Sequence, residues 1–462
     1  MARFTRSSVF FMFLLLAALF VSACVPEKTV QWSTDGEQAA VLSNGRLYLC
    51  DSRGKLSNPL AEGVALTAWL PDSNHMVMVR KQEIDSWEEL VKAAPLDFDE
   101  KKTIAAAMTA RDELLNYSGD LDDFKPSNAG SLNMEQWALA LFYLKERGDA
   151  PFLERTREVL TKLDDMKVEV RTVQVAAAFP DRTSVTVTLF TTLDEITDLR
   201  LSPDGGALAF VSRHAEGWGG SEETSLMAVP TEAGAPPIHV AAGVSAHPDW
   251  SPDGRSLYFV RCQGSRPDSA SLGRMTRRMV RDARGTILVE LPAAQDIATV
   301  VFRDTIKVRC LLDGRVLFAA NEITLPAGEP QIPDRLTLFI LDPATPASVH
   351  RIWPPSMDPK IPDRADLFEL SPDQNRVAVP GSKGRVSVVT LATGESTAII
   401  DKDGSDDLRT IPVWRNPDQL CLVVPAGSRY GSPRRSEVVL WSPGKVAPIS
   451  RNWPDEVIAG IK

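Results

Sequence analysis

Short apolar runs follow turn-forming segments of five residues at intervals along most of the chain. Seven related copies of the pattern WSPDG occupy residues 32–36, 69–73, 201–205, 250–254, 310–314, 370–374 and 414–418. Proline presets the backbone for a type I turn, and an aspartate side chain accepts hydrogen bonds from the amides of its own turn. The run after each turn is apolar at nearly every position, which predicts a strand that is buried on both faces.

The later copies recur at a spacing typical of one small sheet per repeat. Asp253, Asp313, Asp373 and Asp418 are separated by 60, 60 and 45 residues. Repeats of this kind favour an all-β fold, a β-propeller of about seven blades, with six or eight as alternatives. The copies resemble the PD40, or WD40-like, repeats of TolB-type propellers. That resemblance implies the fold and a location in the bacterial envelope, and it implies little about activity.

One segment departs from the repeat. Residues 85–166 contain helix-forming runs and predict three or four helices that pack on the propeller rim. Asp97 with Glu100, and Asn133 with Gln136, are the predicted helix starts. The segment has 18 acidic and 10 basic residues, a net charge of −8. It is interpreted either as a solvated helical surface or as an acidic docking surface for a basic partner.

The N-terminus has the layout of an export signal. Arg3 and Arg6 give a positive start, residues 9–21 form an uncharged apolar run, and small residues precede Cys24. The run is shorter than the ~20 residues that a spanning helix needs. The sequence VSAC resembles the lipobox of bacterial lipoproteins, which implies cleavage after residue 23 and a lipid on Cys24. Val25, where an aspartate would resemble an inner-membrane retention signal, favours the outer membrane; an ordinary secretory signal is the alternative.

These observations divide the chain into a signal at 1–23, a propeller at 24–84 and 167–462, and an acidic helical insertion at 85–166. Without the signal the chain has 49 basic and 61 acidic residues, because the signal holds two of the 51 basic residues and none of the acidic ones. A net charge of −12 argues against nucleic acid as a partner. The remaining cysteines are interpreted as free buried thiols on strands, and we expect neither a cofactor nor a metal. They are Cys50, Cys262, Cys310 and Cys421.

The segment HPDWSPDGR contains a histidine and two aspartates and raises the question of catalysis. Because the segment recurs as a turn, Asp253 is predicted to be a turn residue, His247 a loop residue at its edge, and Asp249 a solvent-facing residue. The loops between second and third strands are long, and they lie opposite the repeat turns. Loops on a rigid scaffold are where binding is commonly found. The candidate binding residues in these loops are Trp218, Arg266, Tyr430, Arg434 and Arg435.

Three functions are compatible with this pattern. The first is a lipid-anchored, non-catalytic propeller that binds protein or cell-wall components at the envelope. The second is a propeller enzyme of the lactonase or lyase kind, with acidic and histidine residues in the central channel, for which a metal or three converging carboxylates there would be the evidence. The third is a purely structural envelope component. The chain contains no G-x-S-x-G nucleophile motif and no pair of histidines at zinc-binding spacing, so no catalytic residue is assigned.

Overall fold

In the computed structural model the chain forms seven antiparallel sheets, the blades of a β-propeller, arranged in chain order. The structure describes residues 29–119, 121, 134–162, 168–179, 186–215, 222–232, 235–244, 247–262, 269–276, 278–281, 287–290, 294–301, 307–320, 322–324, 337–345, 349–353, 367–380, 386–400, 412–426 and 435–461. Among these residues the seven sheets confirm the predicted fold class and select seven blades from the alternatives.

The first four blades contain the strands β1 to β18. Blade 1 contains β1 (Val30–Trp32), β2 (Gln38–Ser43), β3 (Arg46–Asp51) and β4 (Ala61–Glu62). Blade 2 contains β5 (Val64–Trp69), β6 (His75–Ile84), β7 (Val168–Ala177) and β8 (Thr186–Thr192). Blade 3 contains β9 (Glu195–Leu201), β10 (Ala207–Ala215), β11 (Glu222–Pro230) and β12 (Ile238–Ala242). Blade 4 contains β13 (Asp249–Trp250), β14 (Ser256–Cys262), β15 (Ser269–Thr276) and β18 (Gln295–Val301), with a hairpin of β16 (Arg278–Arg281) and β17 (Ile287–Glu290) between the last two.

The last three blades complete the series. Blade 5 contains β19 (Val308–Cys310), β20 (Val316–Ala320), β22 (Thr337–Leu341) and β23 (Val349–Trp353), while β21 (Glu322–Thr324) pairs with the edge of blade 4. Blade 6 contains β24 (Glu369–Leu370), β25 (Arg376–Pro380), β26 (Val386–Thr390) and β27 (Ser396–Ile400). Blade 7 contains β28 (Val413–Asn416), β29 (Gln419–Ala426), β30 (Arg435–Ser442) and β31 (Lys445–Pro448).

The blades pack face to face through apolar clusters, and the described residues supply one cluster for each of the seven pairs of neighbours. Strand β2 shows how one strand contributes to two of them. Ala39 and Val41 pack toward blade 7, whereas Ala40 and Leu42 pack toward blade 2. Burial on both faces explains why the second strand of each repeat is apolar at consecutive positions.

The repeat turn uses its aspartate as the sequence predicts. Asp253 Oδ1 accepts hydrogen bonds from Ser251 Oγ at 2.6 Å and from the Arg255 amide at 3.0 Å, and these bonds hold the pKa of its carboxyl below the usual range. The last turn position has positive φ, which favours glycine. It is occupied by Gly36, Ser73, Gly205, Gly254, Gly314 and Gln374.

Blades 1 and 7 close the ring without exchanging a strand, since β1 pairs with β2 and β30 pairs with β29 and β31. Val30 and Trp32 share an apolar cluster with Val438 and Leu440, so β1 and β30 meet across the seam between the two blades. The Arg415 guanidinium lies 4.9 Å from the Trp32 ring centroid and adds a cation–π contact across the same seam.

Three of the four predicted free thiols lie in the described part of the chain. Cys50, Cys310 and Cys421 are buried and form no disulfide, as predicted. Cys50 and Cys421 belong to the cluster that joins blades 1 and 7. The side chain of Cys262, at the end of β14, lies outside the described residues.

Four helices interrupt blade 2 between its second and third strands. They are α1 (Trp87–Ala93), α2 (Glu100–Asn116), α3 (Met134–Arg147) and α4 (Ala150–Lys162). We call them the helical layer. Their apolar side chains pack on Ile84 and Val170 of blade 2, and α3 also contacts β10 of blade 3. A short fifth helix, α5 (Asp455–Ala459), follows blade 7.

One of the two predicted helix starts, at Asp97, was wrong. Asp99, not Asp97, is the N-cap of α2, and its carboxylate accepts a hydrogen bond from the Lys102 amide at 3.0 Å. An N-cap side chain accepts a hydrogen bond from the amide two or three residues later. Asp99 stands three residues before Lys102, whereas Asp97 stands five residues before it. Asn133 lies outside the described residues. No helix in the described part of the chain has both the length and the apolar character to cross a membrane.

Candidate functional site

The inner strands of blades 3 to 6 carry ionisable side chains that meet beside the central channel. On β9, Leu199 and Leu201 pack in the apolar interface between blades, and the alternation of a strand places Asp198 and Arg200 on its other face. His247, just before β13, supplies a third polar group. We call this group, together with the residues of blades 4 to 6 described below, the channel cluster.

His247 and Asp198 form the first contact of the channel cluster. Nδ1 of His247 lies 3.1 Å from Oδ2 of Asp198, and the two side chains are 7% and 14% exposed. Burial lowers the pKa of His247 below its usual value, so the ring is neutral at pH 7 and its Nδ1–H donates to the carboxylate. Burial opposes ionisation of Asp198, but the charge of Arg200 and the bond from His247 outweigh it and hold its pKa well below the usual range.

Lys307 and Glu369 form the second contact, between blades 5 and 6. Lys307 Nζ donates to Glu369 Oε1 at 2.6 Å, and the two side chains are 1% and 10% exposed. The ammonium also lies 5.5 Å from the Phe368 ring centroid. Two charges removed from water are stable only when paired in this way. The bond therefore ties the two blades together near the axis.

Arg309, on β19, connects the two halves of the channel cluster. Its Nη1 donates to the Val308 carbonyl at 2.8 Å, and its Nη2 lies 3.9 Å from Glu369 Oε2. Burial and the nearby Arg200 charge lower the pKa of Arg309, while Glu369 opposes that shift. The Nη2 atoms of Arg200 and Arg309 are buried and have no hydrogen-bond partner in the described part of the chain. The cluster thus holds more donors than its own acceptors satisfy.

The prediction that Asp249 faces solvent is wrong. Its side chain lies in the channel cluster, where Oδ2 accepts a hydrogen bond from the Cys310 amide at 2.9 Å. The charge of Asp198 and, to a smaller extent, that of Asp249 raise the pKa of Arg200. His247, the predicted loop residue, does lie outside β13, but it is buried and has a positive φ of 72°. Of the histidine and the two aspartates in HPDWSPDGR, Asp253 is the one that serves the turn.

The charges of the channel cluster are balanced, and its carboxylates already have hydrogen-bond partners. It contains three carboxylates and three cations, and the neutral His247 adds no charge. Each carboxylate accepts a hydrogen bond: Asp198 from His247, Asp249 from a backbone amide and Glu369 from Lys307. Among the described residues no group of three or more His, Cys, Asp and Glu side chains is arranged to hold a metal.

The sequence contained a signal for the channel cluster that the search for motifs missed. Arg200, Asp249, Arg309 and Glu369 each stand immediately before the first residue of a repeat copy. In the other three copies this position is occupied by Gln31, Ala68 and Val413. A charged residue at one repeat position in four consecutive blades is a pattern that alignment of the copies would reveal.

The predicted binding residues belong to connections between second and third strands. Residues 216–221, between β10 and β11, include Trp218; residues 263–268, between β14 and β15, include Arg266; Tyr430 and Arg434 stand between β29 and β30. These four residues, and Cys24, lie outside the described residues. Arg435 begins β30, where its backbone pairs with Ala426.

Neither a protein-family model nor a curated protein matches the chain. Solved propellers are similar at low identity. The β-propeller domain of Cps50 (Swd1) from Myceliophteria thermophila has a TM-score of 0.45 at 10% identity, covering 90% of this chain and 96% of its own. Prolyl oligopeptidase B from Galerina marginata has 0.46 at 9%, covering 91% and 49%. An oligogalacturonate lyase solved with manganese has 0.39 at 11%, covering 78% and 75%. The blade topology itself defines the class of this protein, a seven-bladed β-propeller.

Proposed function

We propose that the protein is a lipid-anchored, non-catalytic β-propeller of the bacterial envelope, held in the outer membrane by Cys24. It binds a protein or cell-wall component through the face that carries the connections between second and third strands, which we call the insertion face. The helical layer, the largest elaboration of the propeller, emerges from this face and is the observation that carries the proposal.

Backbone hydrogen bonds near the start of the propeller support the same face. The Leu42 amide donates to the Thr29 carbonyl at 2.7 Å, so Thr29 lies beside the turn between β2 and β3. The Val64 amide donates to the Gly45 carbonyl of that turn, and the Lys81 amide donates to the Gly63 carbonyl. Lys81 is three residues from the end of β6, where the helical layer begins.

The short distance along the chain from Cys24 to Thr29 supports an orientation of the propeller relative to the membrane. Five residues span at most ~18 Å when fully extended. A lipid on Cys24 would therefore hold the insertion face near the membrane. The partner of the helical layer would then be a membrane-embedded or membrane-proximal component, and the net charge of −8 over residues 85–166 favours one with a basic surface.

The channel cluster contains three carboxylates, which the alternative of a propeller enzyme requires, but the partners of these carboxylates favour binding over catalysis. Its carboxylates are engaged by histidine, lysine and a backbone amide from neighbouring blades. A general acid or base must be able to exchange its proton with a substrate. Side chains that already join blades 3 to 6 are suited to holding the ring together.

Site-specific photo-crosslinking in the native host tests the proposal. A photoreactive residue replaces Met108 on α2, and a matched one replaces Leu312 in the blade 5 repeat turn, since both side chains are exposed, at 40% and 69%. We expect an adduct with one envelope component at position 108 and none at position 312. Adducts at position 312 alone, or at neither position, would contradict binding through the insertion face, and the latter would favour a purely structural component.

A variant without the helical layer completes the test. Ile84, the last residue of β6, pairs with Val168, the first residue of β7, so an Asn-Gly turn can join them directly. Ile84→Thr and Val170→Thr remove the apolar surface that the deletion would expose. We expect this variant to unfold cooperatively and to lose the partner. Separately, a palmitate analogue should label the wild type and not Cys24→Ala.

A further inference from the structure

A groove of about 880 Å³ runs along the seam between the outer strands of blades 1 and 7 and ends against α5. Its charged lining residues are four cations and one acid, in a chain whose net charge is −10. They are Arg46, Arg53, Lys55, Arg451 and Glu456. The groove therefore concentrates positive charge at one place on an acidic protein.

One of the four cations is paired with a carboxylate of the neighbouring strand. Arg46 pairs with Glu62 at 3.2 Å. Within the described residues, Arg53, Lys55 and Arg451 take part in no ion pair. Three exposed cations that share one concave surface repel one another, and an anion placed among them relieves that repulsion.

The turn that presents Arg53 and Lys55 is held rigidly. Asp51 Oδ1 accepts hydrogen bonds from the amides of Arg53 and Lys55 at 2.9 and 2.8 Å. From the blade 7 side, the Trp453 indole donates to the Gly54 carbonyl at 2.8 Å. Gly54 has a φ of +87°, and a Cβ there would lie 2.4 Å from the Ile449 carbonyl oxygen, so the turn is pressed against the seam.

This rigidity sets the groove apart from a patch of mobile surface lysines. The backbone on both sides of Arg53 is fixed before any ligand arrives, because Arg415 Nη1 also lies 3.5 Å from the Ser52 carbonyl oxygen. A site ordered in advance loses less conformational entropy on binding. The two cations are thus presented from a fixed backbone.

The remaining lining indicates the chemistry of the ligand. The side-chain amides of Asn58 and Asn452 offer hydrogen bonds suited to hydroxyl groups, and Pro59 and Pro448 add rigid apolar surface. We propose that the seam groove binds an acidic saccharide, with its carboxylate or phosphate groups on Arg53, Lys55 and Arg451 and its hydroxyl groups on the amides. This site is formed by residues of blades 1 and 7 and α5, and it does not depend on the lipid anchor.

Calorimetric titration of the purified residues 25–462 tests the site. The probes are an oligomer of a uronic acid, a neutral oligosaccharide of the same length, and inorganic phosphate. We expect the acidic oligomer to bind more tightly than both other probes and to weaken as salt is raised, because the contacts are exposed ion pairs. Equal binding of the neutral oligomer, or binding of phosphate as tight as that of the acidic oligomer, would overturn the proposal.

Matched double variants assign the binding to the groove. Arg53→Gln with Lys55→Gln removes two cations from the groove, and Lys101→Gln with Lys102→Gln removes two exposed cations from α2. We expect the first pair to weaken binding at least about tenfold and the second to leave it unchanged, with both unfolding at the wild-type temperature. Equal weakening by the two pairs would show a general charge effect and overturn the assignment.

Discussion

The indole Nε1 of Trp250 donates a hydrogen bond of 3.1 Å to the backbone carbonyl oxygen of Arg200, one blade earlier in the ring. The same bond recurs at the same repeat position, from Trp69 to Gln31 at 2.9 Å and from Trp414 to Glu369 at 2.9 Å. In blades 2, 4 and 7 the tryptophan of the repeat therefore joins its blade to the inner strand of the preceding blade. In blades 3 and 6 the carbonyl that accepts this bond belongs to Arg200 and to Glu369. The side chains of these two residues belong to the channel cluster.

Replacing Trp250 with phenylalanine should destabilise the propeller. The phenyl ring fills most of the space but cannot donate, which removes the hydrogen bond that joins the Arg200 carbonyl to blade 4. We expect a loss of about 1–3 kcal/mol in the free energy of unfolding, measured by urea denaturation. Trp441→Phe, at a partly buried position in blade 7, is the control for the change in ring size. Equal losses in the two variants would mean that the hydrogen bond contributes nothing.

Breaking the Lys307–Glu369 pair should have the largest effect. Lys307→Met leaves Glu369 as a buried carboxylate without its ammonium, and such losses are about 3–5 kcal/mol. We expect Lys307→Met combined with Glu369→Gln to recover part of the loss, because no uncompensated charge then remains. A double-mutant cycle from urea denaturation measures the coupling. Additive effects of the two substitutions would contradict a direct interaction.

The repeat turns should make the protein sensitive to acid. Hydrogen bonds from Ser33, Ser251 and Arg315 lower the pKa values of Asp35, Asp253 and Asp313. A carboxyl whose pKa is lower when folded stabilises the fold above its unfolded pKa of ~3.9 and loses that contribution as the pH falls toward the folded value.

Urea midpoints at several pH values between 6 and 3 measure this sensitivity. We expect the midpoint to fall below pH 4 in the wild type and to fall less steeply in Asp35→Asn with Asp253→Asn, which keep an acceptor oxygen but do not titrate. Parallel curves for the two proteins would show that these turns do not contribute to acid denaturation.

The thiols should be free and unreactive in the folded protein. Burial raises the pKa of Cys50 and of Cys421 to about 12, and burial also raises that of Cys310 well above its usual value. Since the thiolate is the reactive form, we expect negligible labelling of these three at pH 8. After unfolding without reductant, a Cys24→Ala variant should show four reactive thiols. Two or none would mean that a disulfide staples neighbouring blades.

The helical layer shows how far local pattern carries a prediction. Its existence followed from a change of hydrophobic period over residues 85–166, and the four helices begin and end within that segment. The cap of α2 was misplaced by two residues, from Asp99 to Asp97, because either aspartate is an acceptable N-cap by residue type. Only the backbone geometry decides which of them faces the Lys102 amide.

The sequence by itself determined the repeat turns, the doubly buried second strands and hence the propeller. These features depend on a few adjacent residues, and their chemistry is the same in every copy. The tertiary structure decided the number of blades, the closure of the ring between blades 1 and 7, and the position of Asp249 beside the channel. Such features depend on contacts between residues about 50 to 400 positions apart, and a long-range contact leaves no periodic mark in the sequence. For this reason a histidine and an aspartate that stand two positions apart in HPDWSPDGR could be placed in a loop, but the burial of His247 and the contact of Asp249 with blade 5 could not be predicted.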